Sequence, residues 1–204
     1  MTNPAAVALW AVIGFFSGSL MFSSWLARWS LGRDLREVGD GNPGATNALK
    51  AGGWKLGALA LVLDALKGAI PVSLARYGVG MYGLDIVIVA VATILGHAYS
   101  PWMGFKGGKA VAVSMGVWMA ITLWEAPTIG GIALGVWFSV VTVSGWAVLL
   151  TTLTLLAYYL LTNPDPVLLA LWGANFAILM WKYRADFRKS PGLRPWIRSW
   201  LRRS

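Results

Sequence analysis

The sequence predicts an all-α integral membrane protein with about seven transmembrane helices, and three observations carry that reading. Of the 204 residues, 57% are hydrophobic and 12% charged, with a mean hydropathy of +0.64. The charges gather in clusters, separated by long stretches in which a charge stands alone among apolar side chains. Once those stretches are taken as spans, the cations sort to one side. A water-soluble core could not absorb so much apolar surface.

Each span follows from an apolar run and the residue that ends it. Ala5 to Trp29 is too long for a cleavable signal, has no basic residue before it and lacks a clear small-residue cleavage site, so it reads as a spanning helix. The second run is Leu56 to Arg76, and the third is Leu84 to Tyr99, where Pro101 blocks continuation. Ala110 to Trp124 is the fourth, ended by a break at Glu125-Ala126-Pro127. Thr128 to Val143 and Trp146 to Leu161 read as a hairpin hinged at Ser144-Gly145, and Asn163-Pro164-Asp165-Pro166 is a strong turn. The last run, Val167 to Trp181, completes a single membrane domain over 1–181, followed by a basic tail over 182–204 that is too polar to enter lipid.

With these spans every cation except Lys67 and Arg76 falls on one side of the membrane. The positive-inside rule then places the amino terminus outside and the carboxyl terminus in the cytoplasm, together with both conspicuous polar loops. The formal charge of +9 is thus a topology signal, and nucleic acid is not expected as a partner. No cysteine is present, so disulfides, thiolate metal sites and cysteine nucleophiles are excluded. One histidine and eight scattered acids give no basis for a metal cage, and no cofactor is expected.

The first polar loop, Gly32 to Lys50, has the composition of a phosphate-binding segment. Gly39, Gly41 and Gly44 let backbone N–H groups turn toward an anion, Thr46 and Asn47 offer donors near a helix start, and Lys50 adds a full charge. Gly41-Asn42-Pro43-Gly44 alone reads first as a plain tight turn; Asn42, Thr46 and Asn47 beside the loop's cations at a membrane surface shift the balance toward the anion. The second loop repeats the pattern in compressed form: His97 opens it, and Lys106 and Lys109 flank Gly107-Gly108 at a helix start. It is no nucleotide P-loop, since the glycine spacing and the closing Ser or Thr are missing. The lysines could also anchor a helix to anionic lipid, and a lone histidine could be hydrogen-bonded structure.

Asp64 and Lys67 stand three apart on one helical face inside the second span, which permits an internal ion pair where an isolated charge is costly. A structural pair orienting the helix is favoured over direct substrate contact. Trp25, Trp29, Tyr99, Trp102, Trp124, Trp181 and Tyr183 fit an interfacial aromatic belt.

Several strings taken together carry a resemblance. They are Asp34-Leu35-Arg36-Glu37, Gly39-Asp40-Gly41-Asn42-Pro43-Gly44-Ala45-Thr46-Asn47, Leu63-Asp64-Ala65-Leu66-Lys67-Gly68, Gly96-His97 and Phe105-Lys106-Gly107-Gly108-Lys109-Ala110-Val111-Ala112. In order and spacing, over roughly the first 115 residues, they resemble the PlsY family of bacterial acyl-phosphate-dependent glycerol-3-phosphate acyltransferases. The resemblance implies a seven-helix enzyme of the bacterial plasma (inner) membrane with its site facing the cytoplasm. There an acyl phosphate would give its chain to the 1-hydroxyl of glycerol 3-phosphate, yielding lysophosphatidic acid and phosphate in phospholipid biosynthesis. It also implies a mechanism in which the donor's own phosphate accepts the hydroxyl proton and no protein nucleophile is used. Both substrates carry phosphate and one must stay in lipid, which suits two anion-binding loops beside a bilayer.

Carried over position by position, the resemblance implies catalytic roles for His97, Lys109 and Asn42. Substrate-binding roles fall to Ser19, Asp40, Gly41, Gly44, Thr46, Asn47, Lys50, Lys106, Gly107, Gly108 and Asp186, with Asp64 and Lys67 as structural support. Acyl phosphate, glycerol 3-phosphate and membrane lipid are the expected partners; oligomeric state is left open. The chain departs from the family in having Asp40 for a usual serine, Lys50 for arginine and Met21 for proline. A carboxylate at Asp40 would repel phosphate unless it is protonated or paired, with Arg33 or Arg36 as the expected partners. The usual Arg-Tyr element is absent around Thr142 to Trp146, and the tail at Tyr183 to Lys189 is altered, with Asp186 where the family has asparagine. Those changes would suit a diverged acyltransferase with another acceptor. A transporter or translocator of phosphorylated molecules is the alternative from a different class, though no internal repeat supports it.

Overall fold

The computed structural model describes residues 3–201, and within them the chain is helical, with one isolated antiparallel bridge between Val141 and Leu193. The helices are α1 (Pro4–Ser19), α2 (Phe22–Leu31), α3 (Ala45–Ser73), α4 (Leu84–Ala98), α5 (Val111–Thr122), α6 (Glu125–Val140), α7 (Ser144–Thr162), α8 (Pro166–Tyr183) and α9 (Pro195–Leu201). Four stretches are long and apolar enough to cross a membrane: Pro4–Leu31, Ala45–Gly78, Leu84–Met103 and Ser144–Thr162; Val111–Thr122 is a shorter apolar helix. The chain divides into two compact units between Leu123 and Trp124.

In the first unit many bulky apolar side chains face outward. Leu9, Val12 and Phe16 of α1 and Leu61, Val62 and Ile70 of α3 are about half exposed, whereas Asp64, Lys67, Thr93 and Ser114 are buried. Lipid is the solvent that makes this arrangement favourable, because burying the polar groups inside satisfies them and hydrocarbon accepts the rest. Small residues then bring backbones together. A Cβ on Gly18 of α1 would run into the Thr93 carbonyl of α4, and one on Gly116 of α5 would run into the Ala65 carbonyl of α3.

The first apolar run is not one helix. It breaks at Leu20, whose backbone is extended, and at Met21, so that α1 and α2 are separate. No proline enforces the break; tertiary donors take the carbonyls it frees. Lys67 Nζ donates to the Leu20 carbonyl and Ser100 Oγ to the Ser19 carbonyl at 2.7 Å. The long third helix is bent as well: Gly53, at φ 79°, interrupts it, leaving a short leading helix that carries Thr46, Asn47 and Lys50. The break before α6 lies at Leu123–Trp124, so Glu125 and Pro127 begin that helix rather than ending the previous one. Proline in the first turn needs no N–H partner.

In the second unit α6 and α7 meet through Trp137 Nε1 to Thr154 Oγ1 at 3.1 Å, and Trp172 Nε1 of α8 donates to the Thr152 carbonyl at 2.8 Å. The segment after α8 folds back on the α6–α7 connection: Thr142 N–H donates to Gly192, and Arg194 N–H and Nε donate to the carbonyls of Val140, Phe138 and Val141.

Candidate active site

Both polar loops belong to the first unit. The first is anchored by Leu35, fully buried against Ala27 of α2 and Ala48 and Ala60 of α3. Asp34 caps the short turn Leu35–Glu37 and is gripped by Arg36 at 2.6 Å and Arg28 at 3.2 Å. The hydrogen bonds and charge of Arg36 hold its carboxyl well below the usual carboxylate range. That pairing commits Arg28 and Arg36 to Asp34.

Asp40 pairs instead with Lys109 of the second loop, at 2.9 Å, which corrects the expectation of Arg33 or Arg36. Its other oxygen accepts from Asn47 Nδ2 at 2.8 Å and Asn42 N–H at 3.2 Å. Partial burial would raise the Asp40 carboxyl, but Lys109, Asn47 and the Asn42 N–H together outweigh it and hold the pKa below the ordinary value. Asn47, 1% exposed, also donates to the Asn42 carbonyl at 2.9 Å and so fastens the loop onto the helix start. Gly39 and Gly41 have left-handed backbone (φ 62° and 73°), and a Cβ on Gly39 would stand 2.8 Å from Lys50 Nζ. Gly44 lies against the Asn42 amide in the same way.

The second loop is built around His97, 3% exposed near the end of α4. Gly108 N–H donates to its carbonyl at 3.1 Å, and the imidazole lies so close over Gly108 that a Cβ there would have to push the ring aside. Gly107 is equally confined, against the backbone of His97, Ala98 and Ser100. Ala110 then adopts a left-handed conformation (φ 64°) at the N-cap of α5, a costly geometry for a residue with a Cβ, and it fixes the turn immediately after Lys109. Ser19 joins this group from the end of α1: Trp102 Nε1 donates to its Oγ at 2.9 Å.

The structure therefore joins the two loops through Asp40 and Lys109, with Asn42 and Asn47 bound to Asp40, Lys50 beside Gly39, Gly108 packed on His97, and Ser19 linked to the second loop through Ser100 and Trp102. Thr46 and Lys106 lie exposed on the same loops. Asp186 lies in the second unit, where its carboxylate accepts from Ser144 Oγ at 2.9 Å and Gly145 N–H at 3.0 Å, capping the start of α7. Asp64 and Lys67 form the ion pair the spacing predicts, at 2.7 Å, and Ser23 Oγ donates to the second Asp64 oxygen at 2.5 Å. Sequence reasoning missed Ser23 and Ser100, whose value lies in partners 41 and 81 residues away; no local pattern signals them. Among the described residues no cluster of His, Cys, Asp or Glu could hold a metal ion.

These features define a class: a helical membrane protein in which two cationic glycine-rich loops meet beside apolar helices. The chain belongs to the glycerol-3-phosphate acyltransferase family, whose model matches residues 8–190. It is 36% identical over 191 residues to glycerol-3-phosphate acyltransferase 1 of Thermotoga maritima, covering 87% of this chain and 94% of that one. It is 42% identical to the glycerol-3-phosphate acyltransferase of Anaeromyxobacter sp. strain Fw109-5 over 134 residues, which spans 64% of this chain and 66% of that relative. A crystal structure of PlsY, an integral membrane glycerol 3-phosphate acyltransferase in its glycerol 3-phosphate form, superposes with a TM-score of 0.81 at 28% identity, over 89% of this chain and 90% of that one.

Proposed function

We propose that this protein is a membrane acyltransferase that moves an acyl chain from acyl phosphate to the 1-hydroxyl of glycerol 3-phosphate. The observation that carries the proposal is the meeting of Asp40, Asn42 and Asn47 of the first loop with Lys109, Gly108 and His97 of the second. Family membership supplies the reaction class, and the glycerol 3-phosphate form of the PlsY structure supports the acceptor.

The hydroxyl oxygen attacks the acyl carbonyl carbon, the carbon–oxygen bond to phosphate breaks, and inorganic phosphate leaves with the proton the hydroxyl gives up. The donor is already activated, so the chain's work is alignment and charge neutralisation. Lys109, with Lys50 and Lys106 on the same loops, would neutralise phosphate; Asn42, Asn47, Thr46 and the backbone at Gly41, Gly44, Gly107 and Gly108 would orient it. His97, held against Gly108, would bind or polarise substrate, and Ser19 would help frame the site. Asp64 and Lys67 would support it from behind.

On this reading the body 1–181 crosses the bacterial plasma membrane about seven times. The amino terminus is outside, and the loops and the basic segment 182–204 face the cytoplasm, where acyl phosphate and glycerol 3-phosphate are met.

The test uses full-length protein purified in detergent, with palmitoyl phosphate and glycerol 3-phosphate as substrates and acyl-CoA as control donor. Lysophosphatidic acid and phosphate should form from the acyl phosphate and depend on Lys109 and Asn42, each replaced by Ala. Folded protein that binds glycerol 3-phosphate yet makes no product across donor chain lengths would overturn the proposal.

A further inference from the structure

Lys109 of the second loop meets a carboxylate of the first at 2.9 Å. We propose that Asp40 is a resident anion of the site: it holds the Lys109 ammonium until a phosphate arrives, then yields it, so that the pair sets how tightly phosphate is held. The proposal rests on the acyltransferase reading for which phosphate compounds arrive, and on the geometry of the two loops for everything else.

The two oxygens of Asp40 do separate work. Oδ1 accepts from Asn42 N–H and Asn47 Nδ2 and belongs to the architecture of the first loop. Oδ2 points the other way, to Lys109 Nζ. Charge and loop geometry can therefore be uncoupled, because an amide in place of the carboxylate keeps the acceptor at Oδ1 and removes the anion. The backbone of Lys109 is held between Gly108, which is packed against His97, and the left-handed Ala110, so its side chain starts from a defined position. Asp40 differs: its side chain is 49% exposed against 18% for Lys109, so water can take over its solvation when the pair opens.

A phosphate reaching Lys109 meets a cation whose field is already cancelled, and it brings a second anion beside the carboxylate. Like charges at that separation disfavour each other, so one must give up the ammonium. The cost of opening a partly exposed pair is small but falls on every phosphate that binds. A phosphate compound with further attachments, an acyl chain in lipid or a glycerol backbone, has other contacts to offset it. Inorganic phosphate has none, and its residence is shortened. The carboxylate thereby favours clearing the small anionic product from the site.

The decisive variant is Asp40→Asn in the full chain, with inorganic phosphate as probe in a calorimetric titration, alongside steady-state kinetics with palmitoyl phosphate and glycerol 3-phosphate. Phosphate should bind about three- to tenfold tighter to Asp40→Asn than to the parent, and phosphate should inhibit the variant more strongly. In a Lys109→Ala background the same replacement should give a smaller gain, since no pair remains to be opened and only the direct repulsion between carboxylate and phosphate is relieved. Should Asp40→Asn fail to fold, Asp40→Ser is read by the same criteria. Phosphate binding that is unchanged or weaker in the variant overturns the proposal; if kcat also collapses, Asp40 is instead a residue that positions Lys109. A parent protein that transfers no acyl group, with Asp40→Asn still gaining phosphate affinity, would overturn the acyltransferase reading and leave this inference standing.

Discussion

Lys67 Nζ lies 2.7 Å from Asp64 Oδ1, each side chain 1% exposed, and the same ammonium donates to the Leu20 carbonyl at the break between α1 and α2. The ion pair is thus joined to a helix end: Lys67 bridges the Asp64 carboxylate and a carbonyl that has no partner in its own helix.

Removing one partner strands the other. Lys67→Met or Asp64→Leu alone should lower stability in detergent by about 3–5 kcal/mol, whereas the double replacement should recover part of the loss. Thermal unfolding of the purified proteins checks this; equal, additive losses in the double variant would argue against the coupling.

The two glycines of the second loop should behave differently. A Cβ on Gly107 meets backbone of His97, so Gly107→Ala should reduce the yield of folded protein. A Cβ on Gly108 meets the movable imidazole of His97, so Gly108→Ala should fold and lose about a hundredfold in rate. Melting temperature and turnover, measured side by side, separate the two.

Asn47→Ala removes two hydrogen bonds from a buried position, one to Asp40 and one to the Asn42 carbonyl. It should cost about 1–3 kcal/mol and release the loop from the start of α3. Hydrogen exchange at residues 39–44 should speed up, with exchange in α4 unchanged.

Asp34 gives the first loop a pH dependence. Its carboxyl is held below the usual value of 3.8, chiefly by Arg36. A depressed folded-state pKa stabilises the protein fully above the unfolded value, and that contribution is lost as pH falls below about 4. Asp34→Asn should flatten the decline of stability on acidification, measured as melting temperature against pH; a parallel decline in both proteins would refute it.

Asp186 carries two readings that one pair of variants separates. Its carboxylate caps α7 through Ser144 and Gly145, so Asp186→Ala should cost about 1 kcal/mol. Asp186→Asn retains an acceptor and should hold both stability and turnover if capping is its role. A selective rise in KM for Asp186→Asn would favour substrate contact.

Helix positions were largely legible from hydropathy because lipid imposes one requirement, an apolar surface with every backbone group satisfied, and the runs from Leu84 and from Trp146 correspond closely to α4 and α7. The break at Leu20–Met21 was not, since its cause is a lysine 47 residues away. The same holds within the site. Glycine spacing and cations marked both loops, and Asp64 and Lys67 were paired by helical periodicity. The partner of Asp40 was misread because Arg33 and Arg36 are near in sequence, while Lys109 reaches it only after α3, α4 and α5 have assembled.

The unaided sequence 4–31 has every local reason to form one helix, about 42 Å long, well beyond the hydrocarbon thickness of a bilayer. Its division into α1 and α2 depends on Lys67 and Ser100, which leave the ribosome later. The bend is therefore a tertiary feature: the partners that satisfy its freed carbonyls lie on the third helix and on the loop after the fourth, so the shape of the first segment is written in sequence that follows it.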